Sequence, residues 1–139
     1  EYRIEQGSYV KEGFDAERAE KDGADDYGLR SYVMALLKAG PNRDRSAEEA
    51  AELQMKHLEN IQRMADEGKL ALAGPFLDNG ELRGIYIFNC ETVEEAEALT
   101  NTDPAVQAGS LIMELKPWMG SAAVVEINDI HNRIARKQF

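Results

Sequence analysis

The stretch Ser31-Tyr32-Val33-Met34-Ala35-Leu36-Leu37 constrains this chain more than any other. A strand with one face in water alternates apolar with polar residues. Here both alternating sets are apolar, Tyr32, Met34 and Leu36 against Val33, Ala35 and Leu37, and Gly40-Pro41-Asn42 closes the run. Such a strand has to be covered on both sides.

The downstream sequence names one of the covers. Ser46 followed by Glu49 is a capping box, with acids Glu48 and Glu49 suited to the positive end of a helix that should run to about Gly68. Lys69 to Phe76 is a second strand, Asp78-Asn79-Gly80 supplies hairpin turn chemistry, and Gly84-Ile85-Tyr86-Ile87-Phe88 is the partner. Thr92, three before Glu95, caps a second helix with Val93, Ala96 and Leu99, and Ser110 to Leu115 forms a last strand stopped by Pro117. The order is βαββαβ, which gives an α+β, ferredoxin-like fold: a four-stranded antiparallel sheet with two helices on one face. Two helices leave the other face bare. The simplest cover is an identical sheet, so a two-fold homodimer through the open face is expected.

The ends are read as additions to one domain, since 139 residues with 43% hydrophobic content fit a single core. Residues 1–29 hold nine acids and four bases without a sustained apolar period, and are expected to form an acidic arm, although Phe14, Ala16, Ala19 and Tyr27 could dock as a short helix. Residues 30–117 are the domain. In the tail, 118–139, Ile127, Ile130 and Ile134 recur at helical spacing with Arg133, Arg136 and Lys137 near the end, which predicts a terminal amphipathic helix docked on the body or on a second copy.

Composition excludes several classes. A formal charge of −10 argues against wrapping a phosphate backbone, so no nucleic-acid partner is expected. No apolar run approaches the ~18 residues of a membrane helix. The single cysteine, Cys90, rules out an internal disulfide and reads as a small packed hydrophobe. A soluble protein is expected. Its compartment stays open, cytoplasmic or exported, because the chain opens on Glu1 and a leader could have been removed. No Gly-rich phosphate loop, Gly-x-Ser-x-Gly elbow or Cys-x-x-Cys is present, and His57, Cys90 and His131 make no metal spacing, so neither metal nor cofactor is expected.

One residue breaks the pattern of the first helix. Leu53, His57, Ile61 and Met64 fall on one face, so a titratable ring occupies an apolar position. A buried unpaired polar group costs roughly 1–3 kcal/mol, and the best partner is Asp103 in Thr102-Asp103-Pro104, with a backbone carbonyl as the plainer alternative. Asp103 before Pro104 is also an ordinary helix start. The two roles are compatible, because a carboxylate has about four lone-pair sites. Imidazole titrates near neutrality, at about 6.5 when free, so with a carboxylate on one nitrogen the other can act as a base.

Taken in order, His57-Leu58-Glu59-Asn60-Ile61, Ala73-Gly74-Pro75 and the turn Asp103-Pro104 to Ala108-Gly109 resemble the YCII-related family of small dimeric α/β-barrel proteins, over about residues 30 to 117. The resemblance implies that barrel fold, and it implies an active-site pair at His57 and Asp103. One family member is similar to a lyase that eliminates chloride from a chlorinated hydroquinone. A small-molecule ligand is therefore expected, and a cofactor-independent lyase or isomerase with a His–Asp general base. The alternative is a non-catalytic binding or accessory dimer. A ring nitrogen opening onto a cleft separates the two readings.

Other site candidates each have a plain counterpart. Arg43 or Arg45, in the loop before the long helix, could clamp an anion or be a solvated linker. Gly74, Pro75 and Phe76 could wall a pocket or simply end a strand, and Arg83 could reach the pocket or be an edge charge. Trp118 could close a barrel or pave the pocket, with packing as the default.

Overall fold

The computed structural model describes residues 2–5 and 8–138, with side chains from 9 to 138. In chain order the elements are β1 (Tyr2–Glu5), β2 (Ser8–Lys11), α1 (Ala16–Asp22), β3 (Leu29–Ala39), α2 (Ala47–Asp66), β4 (Leu70–Pro75), β5 (Leu82–Phe88), α3 (Val93–Thr100), α4 (Pro104–Gln107), β6 (Leu111–Ser121), a 3-10 turn (Ala122–Glu126) and α5 (Ile127–Ile134). The main sheet is antiparallel with order β4-β5-β3-β6, so the doubly apolar β3 is interior and pairs along both edges. This is the expected ferredoxin-like arrangement.

Local chemistry sets the element ends. Ser46 Oγ accepts from the Glu49 amide at 3.1 Å and donates to the Glu49 carboxylate at 2.9 Å. Thr92 treats Glu95 in the same way, at 3.2 and 2.9 Å. Asn79 takes φ 57° in the hairpin, a conformation that asparagine tolerates better than most residues. A side chain at Gly84 would bring its Cβ within 2.6 Å of the Gly74 carbonyl oxygen, so the β4–β5 pair closes only with glycine there.

The core lies between one sheet face and the helices, where Val33, Ala35, Leu37, Tyr86 and Phe88 meet Met64 of α2 and Ala96 of α3. On the other face Tyr32, Ala71 and Ile87 are buried beneath Val124 and Val125 of the 3-10 turn. The chain's own C-terminal segment thus covers part of the second face. Ile112 remains 48% exposed there, and the sheet is open.

Two stretches differ from the sequence expectation. Residues 1–29 contain the β1–β2 hairpin and α1 rather than unbroken arm. The helix is tied to the body by Arg18 to Glu126 at 2.8 Å, and by Arg30, which donates to the Asp22 carbonyl at 3.1 Å and to Asn89 Oδ1 at 2.7 Å. A hydrogen bond with Asp22 holds the Glu126 carboxyl above the usual carboxylate range. Tyr27 takes no part in docking, being exposed. Strand β6, for its part, does not stop at Pro117 but runs to Ser121, with Pro117 opposite Val33. It is an edge strand, where a missing N–H is tolerated. The predicted terminal helix forms as α5, and Asn128 Nδ2 donates to the Leu70 carbonyl at 2.8 Å, while Ile130 and Ile134 stay exposed.

Candidate active site

Helix α2 turns His57 toward the sheet with 8% of its surface exposed. Its Nδ1 lies 2.7 Å from Oδ2 of Asp103, which is fully buried. The other carboxylate oxygen, Oδ1, accepts from the Ala105 amide at 2.9 Å and caps α4. One aspartate therefore performs both roles weighed from the sequence, and the cap fixes the carboxylate that meets the ring.

The segment carrying Asp103 is stitched to the helix carrying His57. Asn60 Nδ2 and Arg63 Nη2, both on α2, donate to Thr102 Oγ1 at 3.3 and 3.1 Å. Arg63 Nη2 also donates to Asn60 Oδ1 at 2.8 Å. Because a carboxylate only accepts, a neutral imidazole in this position carries its proton on Nδ1 and its lone pair on Nε2.

Tyr86 of β5 faces that lone pair. Its hydroxyl is 3.5 Å from Nε2, and the two rings lie 18° from parallel with centroids 6.4 Å apart. Its partners across the sheet are Ala35 and Ala73, small residues beside a large ring. Burial, and then the Asp103 carboxylate, hold the phenol well above its ordinary range, so it remains a proton donor. Nothing in the residue pattern sets Tyr86 apart, since an aromatic alternating with Phe88 looks like core.

Both rings line a cavity of about 410 Å³ between α2 and the sheet, walled by Leu37, Leu53 and Ile61 among others. Arg43, Gly74, Pro75, Phe76 and Arg83, the candidates named from sequence, line it too, as does Arg45. Asp103 lies behind the imidazole and does not line the cavity. Arg43 Nη1 donates to the Ser110 carbonyl, Arg45 to the Asn42 and Ala108 carbonyls, and Arg83 Nη1 to the Gly80 carbonyl at 3.0 Å. Trp118 is elsewhere, tilted on Tyr32 with centroids 5.8 Å apart. Cys90 is buried away from the cavity, and burial followed by the nearby Glu95 pushes its thiol up. Among the described residues no group of three or more His, Cys, Asp and Glu is placed to hold a metal ion, and no helix is long and apolar enough to cross a membrane.

The chain is 34% identical to the uncharacterized protein YjpA of Bacillus subtilis over 62 residues, a stretch that covers 45% of this chain and 71% of that one. Among solved structures it is similar to the 5-chloro-2-hydroxyhydroquinone dehydrochlorinase TftG of Burkholderia phenoliruptrix in complex with 2,5-dihydroxybenzoquinone, at 18% identity and a TM-score of 0.45, over 62% of this chain and 92% of that one. The YCII-related domain pattern matches residues 32–119, which takes in His57, Asp103 and Tyr86. The chain belongs to the YCII-related domain family.

Proposed function

We propose that this protein is a small enzyme of lyase or isomerase type, in which His57 moves a proton on a small unsaturated or aromatic molecule. One observation carries the reading: a ring on a cavity wall has Nδ1 held at 2.7 Å by a fully buried, capped carboxylate. Nε2 takes a proton from a C–H or O–H of the bound molecule, and the imidazolium that forms faces the Asp103 charge. The Tyr86 phenol donates to a substrate oxygen on which charge develops. In an elimination the electron pair of the broken C–H bond becomes the new double bond and a leaving group departs with its own pair. In an isomerisation the imidazolium returns the proton to another carbon.

The test is a screen of halogenated and hydroxylated aromatics, lactones and short acyl compounds against wild type, His57→Ala and Asp103→Asn. Loss of turnover by about 100- to 10,000-fold in both variants is expected, the usual share of general acid–base catalysis. A substrate turned over equally by all three proteins removes the proposal.

We further infer that a second copy covers the open sheet face, where exposed Ile112 and Trp118 flank the half-buried Met34 and Ile85. Sedimentation should then report twice the 15.5 kDa chain mass; a single-chain mass at micromolar concentration contradicts the dimer.

A further inference from the structure

We infer that the cavity takes an organic acid of about one ring's size, its carboxylate on Arg43 and Arg83 and its body against His57 and Tyr86. The inference rests on the cavity being the ligand site, and it is independent of whether His57 moves a proton.

Charge is the first ground. The chain has 26 acidic residues against 16 basic ones, yet among the described residues no carboxylate side chain lines this cavity, while three arginines do. A cleft of one sign concentrates ligands of the other.

The arginines' own partners are the second ground. Among the described residues, Arg43 and Arg83 hydrogen-bond only neutral acceptors: Arg43 Nη1 meets the Ser110 carbonyl and hydroxyl, and Arg83 Nη1 meets the Gly80 carbonyl and Asn79 Oδ1. Neither forms an ion pair there, and Nε and Nη2 of each remain without a protein acceptor. One anchored nitrogen orients a guanidinium, and the remaining edge matches a carboxylate in bidentate fashion. Arg45 differs, since both of its terminal nitrogens are taken by the Asn42 and Ala108 carbonyls. It braces the loop that presents Arg43.

Shape is the third ground. About 410 Å³ lies near the small end of ligand sites, which run from about 300 to 1,000 Å³. Leu37, Leu53, Ile61 and Phe76 offer apolar wall for a flat body. A ring with one acid group fits this combination.

The experiment compares benzoate with benzamide, matched in shape and different in charge, by calorimetric titration of the full chain at low salt. Benzoate should bind at least tenfold more tightly. Arg43→Gln and Arg83→Gln should each weaken benzoate by about tenfold, the scale of a charge-assisted pair, and weaken benzamide by less. Should either variant melt early, the wild type still decides, because benzoate affinity alone must fall as sodium chloride is raised. Benzoate binding is read without turnover, so failure of proton transfer and failure of anion binding are distinguishable. Equal affinity for the two probes, binding of neither at millimolar concentration, or a benzoate affinity indifferent to salt and to both glutamines overturns the inference.

Discussion

Replacing Asp103 separates its two tasks. Asp103→Ala removes the cap on α4, worth about 0.5–2 kcal/mol, and leaves the His57 Nδ1–H buried without an acceptor, worth roughly 1–3 kcal/mol. A loss of about 2–4 kcal/mol is therefore expected, both contacts being buried, at 2.9 and 2.7 Å. Asp103→Asn keeps an oxygen for the cap and loses the charge opposite His57, so it should cost about 1–2 kcal/mol. Urea unfolding at pH 7 reads both values. With a slope of about 1–3 kcal/mol per molar, the alanine midpoint should fall by about 1–2 M, and the asparagine midpoint by about half of that, with unchanged slope. An alanine variant within about 0.5 kcal/mol of wild type, or an asparagine variant as damaged as alanine, refutes the reasoning. The first result would mean that the buried contacts contribute little. The second would mean that the cap contributes nothing.

Three further outcomes follow from named contacts. The raised Tyr86 phenol has a sign consequence: the native state holds its proton more tightly than the unfolded chain, so stability is intact below the ordinary phenol value of about 10 and declines as pH rises above it. Tyr86→Phe should flatten, though not abolish, that alkaline decline in urea midpoints between pH 8 and 11, because burial raises Tyr32 as well; an unchanged slope counts against it. Cys90, buried and with its thiol raised, should resist iodoacetamide at pH 8 in the native protein and react promptly in urea, as mass spectrometry would record, and rapid native labelling contradicts the burial. A Cβ at Gly120 would come within 2.2 Å of the Trp118 ring, so Gly120→Ala should displace the only tryptophan and shift its fluorescence; an unaltered emission spectrum argues otherwise.

Much of the fold was legible because its signals are local. Ser46 and Thr92 announce helix starts, Asn79-Gly80 announces the hairpin, and the two apolar faces of β3 announce an interior strand. What the sequence hid is non-local. That Pro117 lies within a strand depends on β6 being an edge, which only the pairing order decides. The hairpin and α1 within residues 1–29 were obscured by charge, since α1 is held by Arg18 and Arg30 rather than by a broad apolar stripe. At the site, His57 stood out because an imidazole interrupts a run of aliphatic positions, and Asp103 because its turn is a helix start. Tyr86 did not stand out. Its hydroxyl has meaning only beside Nε2, and 29 residues of chain separate the two.

At the centre of the account, Asp103 fixes the neutral imidazole with its proton on Nδ1 and its lone pair on Nε2. Long-range proton–nitrogen NMR of ring-labelled protein, at a pH where the ring is neutral, measures this directly. The account predicts a single tautomer for His57 with Nδ1 protonated, reversed or averaged in Asp103→Asn. A wild-type His57 protonated on Nε2, or exchanging between both forms as a free imidazole does, contradicts it.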